Sequence, residues 1–363
     1  MKRAFLFVWI LCIAVCGAAA ESSLSPEELF QAGEEARIAE DYDKALEYYQ
    51  MAADQGSTEG LVSLGIMYYG GVGVEQSYGK ALEYWQQAAD QGSTDAMVDI
   101  AYLYGHGEGV EQDFEKTMEL YQRAASLGNT DALACIGNMY LFGDGVEQSY
   151  EKALEYYLPA AEQGDSYAQG NLAYLYYYGY GTEQSYEKTL EYFRLSADQG
   201  NAYAQMSLGM MYAQGTGTEQ SYEKALEYFQ LAADQNYGLG LACLGEMYAE
   251  GHGVEQSWEK AIEYYQRALD LDTPYAYTCF GKLYAEGNGV EQSWEKALEY
   301  YQQAADRNDA EGYARLGDLY AKGQGVEQDY EKAVEYYRQA MELGNEDAAE
   351  SLNELIEEGT VQE

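Results

Sequence analysis

The stretch GVEQSYEKALEYY, from Gly145 to Tyr157, decides the fold, because close copies of it return along the whole chain. The glutamine of its Glu-Gln pair recurs at Gln76, Gln112, Gln148, Gln184, Gln220, Gln256, Gln292 and Gln328, a spacing of 36 residues each time. A fixed period of that length marks an array of two-helix units and not a globular domain. Upstream of the string, Ala132, Ile136, Met139 and Tyr140 follow i, i+4, i+7, i+8 and predict an amphipathic helix. Gly143-Asp144-Gly145 breaks it. Tyr150, Ala153, Leu154, Tyr157, Ala160 and Ala161 then share one stripe of a second helix, which ends near Gly164, a residue suited to a left-handed C-cap. Gly137 marks a close approach of the paired helices, and Pro159 is expected to kink the second of them. Each unit hides only part of its apolar face, so stacked neighbours must bury the rest.

The pattern AxxxLGxxYxxGxGVEQSYEKALEYYxxAADxG closely resembles Sel1-like repeats, relatives of the tetratricopeptide repeat. Leu208-Gly209-Met210-Met211-Tyr212 and Ala297-Leu298-Glu299-Tyr300-Tyr301 are strong matches, while Thr182 and Thr218 replace the loop valine. Eight such units cover residues 59–344. Before them, residues 21–58 read as a plain tetratricopeptide-like helix pair without the glycine loop. It opens on Ser25-Pro26-Glu27-Glu28, an N-cap serine with proline at the first helical position and glutamate at the third. Residues 345–358 read as a capping helix with Leu352, Leu355 and Ile356 inward, and 359–363 as a tail. The fold expected is all-α: a right-handed α-solenoid of nine helix pairs and a cap. The resemblance implies a non-catalytic protein-interaction scaffold, in a family whose members act as adaptors in signalling, in secretory quality control or in host contact.

Composition narrows the partners. Lys2 and Arg3, the apolar run Ala4–Val15 and Gly17-Ala18-Ala19-Ala20 form a secretory signal, so residues 1–20 are expected to be cleaved and the mature protein to be secreted or periplasmic. No internal segment approaches the roughly 18 apolar residues of a membrane span. The mature chain would hold 63 acidic against 18 basic residues, a net charge of −45, which repels nucleic acid and anionic membranes. Cys135, Cys243 and Cys279 remain, an odd number with no close pair, so no disulfide framework is implied.

Ser149-Tyr150-Glu151-Lys152 has the spacing of a serine–lysine nucleophile, repeated at Ser77, Ser185, Ser221, Ser257 and Ser293. Asp41, Asp113 and Asp329 stand at the equivalent positions. Serine and aspartate interchange as helix N-caps but not as nucleophiles. The Ser-Asp-Asn and Lys-Thr-Gly partners of β-lactam-recognising enzymes do not occur. A β-lactamase-like or cell-wall-acting hydrolase is therefore the alternative reading, and an acidic cation-binding surface protein a further one. His106 and His252 are the only histidines, and the loop acids lack the ligand pattern of a calcium site. No cofactor or metal is expected.

Forty tyrosines resemble a ligand surface, yet Tyr68, Tyr104, Tyr140, Tyr176, Tyr212, Tyr248, Tyr284 and Tyr320 occupy one repeated packing position. Residues repeated in every unit hold the fold; outward residues that vary are free to carry specificity. Counted from Asp131, positions i, i+4, i+7 and i+11 of the first helix lie off the packing stripe. The i+7 column reads Ile66, Tyr102, Asn138, Tyr174, Met210, Glu246, Lys282 and Asp318; position i reads Tyr167, Tyr203, Leu239 and Tyr275 in the middle units. In tetratricopeptide arrays the first helices line the concave, ligand-holding surface. The expected contact for a protein or peptide partner in that groove is Tyr102, Tyr167, Tyr174, Tyr177, Tyr178, Tyr203 and Met210. Tyr177 stands where later units carry alanine, and Tyr178 where they carry Gln214, Glu250, Glu286 or Lys322, so packing does not demand aromatics there.

Overall fold

In a computed structural model, residues 24–357 are described. The cleaved signal expected at residues 1–20 and the tail at 359–363 lie outside the described residues. Among those described there are nineteen helices and no strand, and together they form an α-solenoid of nine stacked helix pairs and a last helix. First helices begin at Thr58, Thr94, Thr130, Ser166, Ala202, Gly238, Pro274 and Ala310, so the period of the sequence is the period of the structure. The opening pair, Pro26–Ile38 and Tyr42–Asp54, is joined by three residues, where the next pair, Thr58–Gly70 and Tyr78–Asp90, uses seven.

Local chemistry sets each unit. Gly137 lies where a β-carbon would come within 2.6 Å of the Tyr157 ring. Glycines face a second-helix aromatic in the same way at Gly33, Gly65, Gly209, Gly245, Gly281 and Gly317. Ala101 and Ala173 take that position in the other two pairs, packed with Tyr121 and Phe193. In the loop, Gly145 adopts φ +69, and a side chain there would run into the Cβ of Phe114 in the preceding unit. The repeated glutamine closes the loop. Gln148 Nε2 donates to the Leu141 carbonyl at 2.7 Å, one of the last-turn carbonyls that a helix leaves without an internal partner. The other seven glutamines repeat this bond at 2.7–2.8 Å.

The repeated tyrosines are packing residues, as their column implies. Rings such as Tyr140 and Tyr156 stack at 5.8 Å, and the Lys152 ammonium sits 4.8 Å from the Tyr140 centroid. All eight tyrosines of the column carry a lysine in this way, at 3.9–5.0 Å. At the start, Ser25 Oγ accepts the Glu28 amide while the Glu28 carboxylate accepts that of Ser25, a complete capping box. At the far end, Asn345 caps helix Glu346–Glu357, which buries Leu352 and Leu355. Pro159 departs from expectation. The helix Tyr150–Glu162 runs unbroken over the thirteen residues of its counterparts. Proline in the last turn removes a single donor, and the backbone amide and side chain of Gln163 both bind the Pro159 carbonyl.

The chain divides into two compact units, one up to Ala168 with Tyr180–Thr182, the other of Gln169–Gly179 with the residues from Glu183 onward. The first buries Trp85, Met97, Ile100, Leu103 and Ile136 in its main core. The second buries Phe229, Leu241, Leu244 and Met247 in its own. No described helix is long and apolar enough to cross a membrane.

Candidate partner-binding groove

The serine–lysine strings resolve as helix caps. The Lys152 amide donates to Ser149 Oγ at 3.3 Å, and the other five serines accept the equivalent amide at 3.3–3.4 Å. Asp41, Asp113 and Asp329 accept it through a carboxylate oxygen. An activated nucleophile needs a base in hydrogen-bond reach; here the lysine ammonium of each of these serine strings lies over a tyrosine face. The histidines are engaged in the same manner, with His106 stacked on Tyr102 at 3.9 Å and His252 on Tyr222 at 4.3 Å. Burial pushes up the thiols of Cys135, Cys243 and Cys279, that of Cys135 to about 11. Among the described residues no cluster of histidine, cysteine and carboxylate side chains is arranged to hold a metal ion.

A groove of about 550 Å³ opens in the second unit. Four first helices supply most of its lining, the C-terminal part of Ser166–Tyr178, then Ala202–Gln214, Gly238–Glu250 and Pro274–Glu286, and Phe193 of the second helix Tyr186–Asp198 completes it. The structure brings five of the seven expected contact residues into it: Tyr174, Tyr177, Tyr178, Tyr203 and Met210. Tyr178 is the most open of these, 51% exposed. Its ring meets Tyr174 at 4.9 Å and 58°, and Tyr177 at 4.8 Å and 72°. Tyr203 packs edge-on against Phe193, and burial lifts its hydroxyl to about 12.

The remaining two lie elsewhere. Tyr102 belongs to the first unit, where it lines a separate hollow with His106 and Phe142. Tyr167 is exposed and also belongs to the first unit. Phe193, Met206, Cys243, Glu246 and Tyr275 line the groove without having been singled out. Glu246 and Tyr275 were visible in the outward columns, but both stand in later units, beyond the tyrosine-rich repeat.

One expectation needs correction. The i+4 position was placed off the packing stripe, yet Cys243 and Cys279 are buried there. Successive first helices pack side by side, so this column faces the neighbouring unit: the Cys243 sulfur lies 3.9 Å from that of Met210. Of the i+4 column Ser207 and Cys243 line the groove, with Tyr174, Met210 and Glu246 from i+7 and Tyr178 and Gln214 from i+11.

A second hollow, of about 400 Å³, shares Glu246 with the groove and is lined by Lys282, Arg315, Asp318 and Lys322. Three of its charged residues, Lys282, Arg315 and Asp318, take part in ion pairs. Glu311 binds Arg315 at 2.6 Å and Lys282 at 3.3 Å, and Arg315 also reaches Asp318 at 3.1 Å. Burial opposes the charge on Glu311, but Lys282 and Arg315 outweigh it and hold its carboxyl below the usual value.

Comparison with known proteins agrees with this architecture. The family model described as Sel1 repeat matches nine segments: residues 18–57, 58–93, 94–129, 131–165, 166–201, 202–237, 238–272, 279–309 and 310–345. The first covers the pair that lacks the glycine loop. The chain is similar to the crystal structure of c5321, a protective antigen present in uropathogenic Escherichia coli strains displaying an SLR fold. Identity is 30% and TM-score 0.63, over 92% of this chain and 72% of that one. It is also similar to a Sel1 repeat protein from Oxalobacter formigenes, with 30% identity and TM-score 0.51, over 85% of this chain and 90% of that one. No curated protein matched the sequence. With nine matched repeats reaching from residue 18 to 345, the chain belongs to the Sel1-repeat family.

Proposed function

We propose that this protein is an exported, non-catalytic scaffold that holds a protein or peptide partner in the tyrosine groove of its second unit. The Sel1-repeat fold is typical of protein–protein interaction, and proteins built on it generally bind protein partners. One observation carries the finer reading: Tyr174, Tyr177, Tyr178, Tyr203 and Met210, none demanded by the repeat, converge on one groove. Tyrosine and methionine are residue types enriched in interface cores. Export rests on the basic, apolar and small-residue order of residues 2–20, and the similar Escherichia coli protein is a protective antigen.

Photo-crosslinking in the native extracellular or periplasmic fraction tests the groove. A photoreactive residue at position 178 should capture a defined partner, and one at the equally exposed Leu231 should not. Capture from position 231 alone would move the site off the groove. N-terminal sequencing of native material should begin at Glu21; a start at Met1 would contradict cleavage. Nitrocefin turnover abolished by a single serine change would overturn the non-catalytic reading.

A further inference from the structure

The groove also gathers sulfur, a chemistry that peptide binding does not call for. We propose that it binds one copper(I) ion, held by the Cys243 thiolate and the thioethers of Met210 and Met206. The ion site stands apart from the partner site, since it needs no peptide.

Placement comes first. The Cys243 sulfur, on helix Gly238–Glu250, lies 3.9 Å from the Met210 sulfur on helix Ala202–Gln214. Met206 stands one turn before Met210 on the same helix face, and all three residues line the groove. Met206 and Cys243 also share one buried cluster, with Met210 packed against it. With metal–sulfur bonds of roughly 2.3 Å, the length of a zinc–thiolate bond, two sulfurs 3.9 Å apart subtend roughly 116° at a common ion. That is close to the angle of trigonal coordination, which a third sulfur completes. The cysteines differ in their partners. Cys135 shares a hydrogen bond with the Tyr121 hydroxyl and Cys279 with that of Tyr265, whereas Cys243 meets a thioether.

Softness and charge then select the ion. Thiolate and thioether ligands favour copper(I) over harder ions. Burial, and then Glu246, push the Cys243 thiol up, so a bare thiolate is disfavoured in the groove. A thiolate bound to a univalent ion is neutral and escapes most of that penalty. Binding therefore exchanges the thiol proton for the ion and releases the proton to solvent. Met210 is only partly buried, which leaves the ion a path from the open side.

A single buried thiol and a built three-sulfur site respond differently to competition. The full chain, reduced and kept under argon, is titrated into copper(I) bicinchoninate with the chelator in excess, and the loss of colour reads the ion withdrawn. The wild type should take up one ion per chain, with X-ray absorption showing sulfur-only coordination. Cys243→Ser should abolish uptake. Met210→Leu and Met206→Leu conserve core volume. Each should weaken uptake by about tenfold or more, since even outer-shell changes at metal sites cost that much. Cys135→Ser and Cys279→Ser should leave it unchanged. Because a proton leaves as the ion binds, affinity should rise about tenfold per pH unit. No uptake by the wild type would overturn the proposal, as would uptake that both leucine variants leave intact, the mark of a lone thiol. Uptake lost in Cys135→Ser or Cys279→Ser would put the ion elsewhere and overturn it too. If Cys243→Ser fails to fold, the leucine variants decide.

Discussion

The tyrosine groove and the charged hollow of the second unit are made from the same positions of the repeated first helix. Tyr174 and Met210 occupy the i+7 column in one, Lys282 and Asp318 in the other, with Glu246 at their common border. The backbone repeats every 36 residues through both. What differs is how the side chains are satisfied. In the hollow Lys282 and Arg315 are paired with Glu311, which lies behind the lining residues, whereas the groove is lined by tyrosines and one carboxylate, Glu246. The same positions elsewhere repeat the lesson with opposite sign. Arg315 stands four residues after Glu311 and pairs with it; six periods earlier, Asp99 stands four residues after Asp95 and is repelled by it. Burial, and then Asp95, lift the Asp99 carboxyl to about 7. The repeated columns hold the scaffold, so the variable columns are free to be paired, frustrated or left for a partner.

That separation of columns breaks or holds under substitution. The largest effect is expected at adjacent residues of one helix. Gly209→Leu drives a side chain into the space where a β-carbon alone would lie 2.5 Å from Phe229, and should cost about 3 kcal/mol. Met210→Ala, one residue on in a variable column, should cost about 1 kcal/mol, because the thioether is half-buried. Similar losses at both sites in chemical denaturation would erase the distinction between scaffold and variable columns.

Glu311→Gln should rank next, at about 1–2 kcal/mol, because it leaves Lys282 and Arg315 without their shared counter-ion in partly exposed surroundings. The Glu311 carboxyl is held below its ordinary value, so its contribution is present above that value and lost as pH falls through the lowered one. The variant should therefore show a shallower loss of stability on acidification, and an unchanged acid limb would contradict the pairing. Ser149→Ala should cost about 1 kcal/mol, and Ser149→Asp less than about half of that, if the serine is only a cap. An aspartate as damaging as alanine would reopen a chemical role.

Asp99→Asn should give the smallest change at pH 4, where the folded carboxyl is protonated, a shift of about a degree or two in melting temperature. Because the folded carboxyl titrates near 7, well above its ordinary value of 3.8, the wild type loses stability as pH climbs between those values. The variant should lose less between pH 5 and pH 8, and equal losses would show Asp99 to be relaxed.

Much of this architecture was legible in the sequence. The period, the glycine loop, Gly137 as a point of close helix approach and the Ser25 capping box are local or strictly repeated, so pattern and position suffice to read them. The groove was legible in part. Tyr174, Tyr178 and Met210 were set apart by standing outside the repeated chemistry, which is a property of columns. Which column closes over was not legible, because the burial of Cys243 depends on how one first helix leans on the next. The role of the repeated glutamine was equally hidden: its bond to a carbonyl seven residues back exists only once the loop has folded. Pro159 misled because its cost depends on which turn of the helix it occupies.

Whether the aromatic end of that helix face holds the partner is tested most directly by affinity, measured by calorimetry. The partner captured through position 178 is titrated against Tyr174→Ala with Tyr178→Ala, and against Lys322→Ala at the charged end, with melting temperatures checked in parallel. The tyrosine pair should lose about 2 kcal/mol or more, roughly thirtyfold in Kd, while Lys322→Ala stays within about twofold. Intact affinity in the tyrosine pair, with binding abolished by Lys322→Ala, would contradict it.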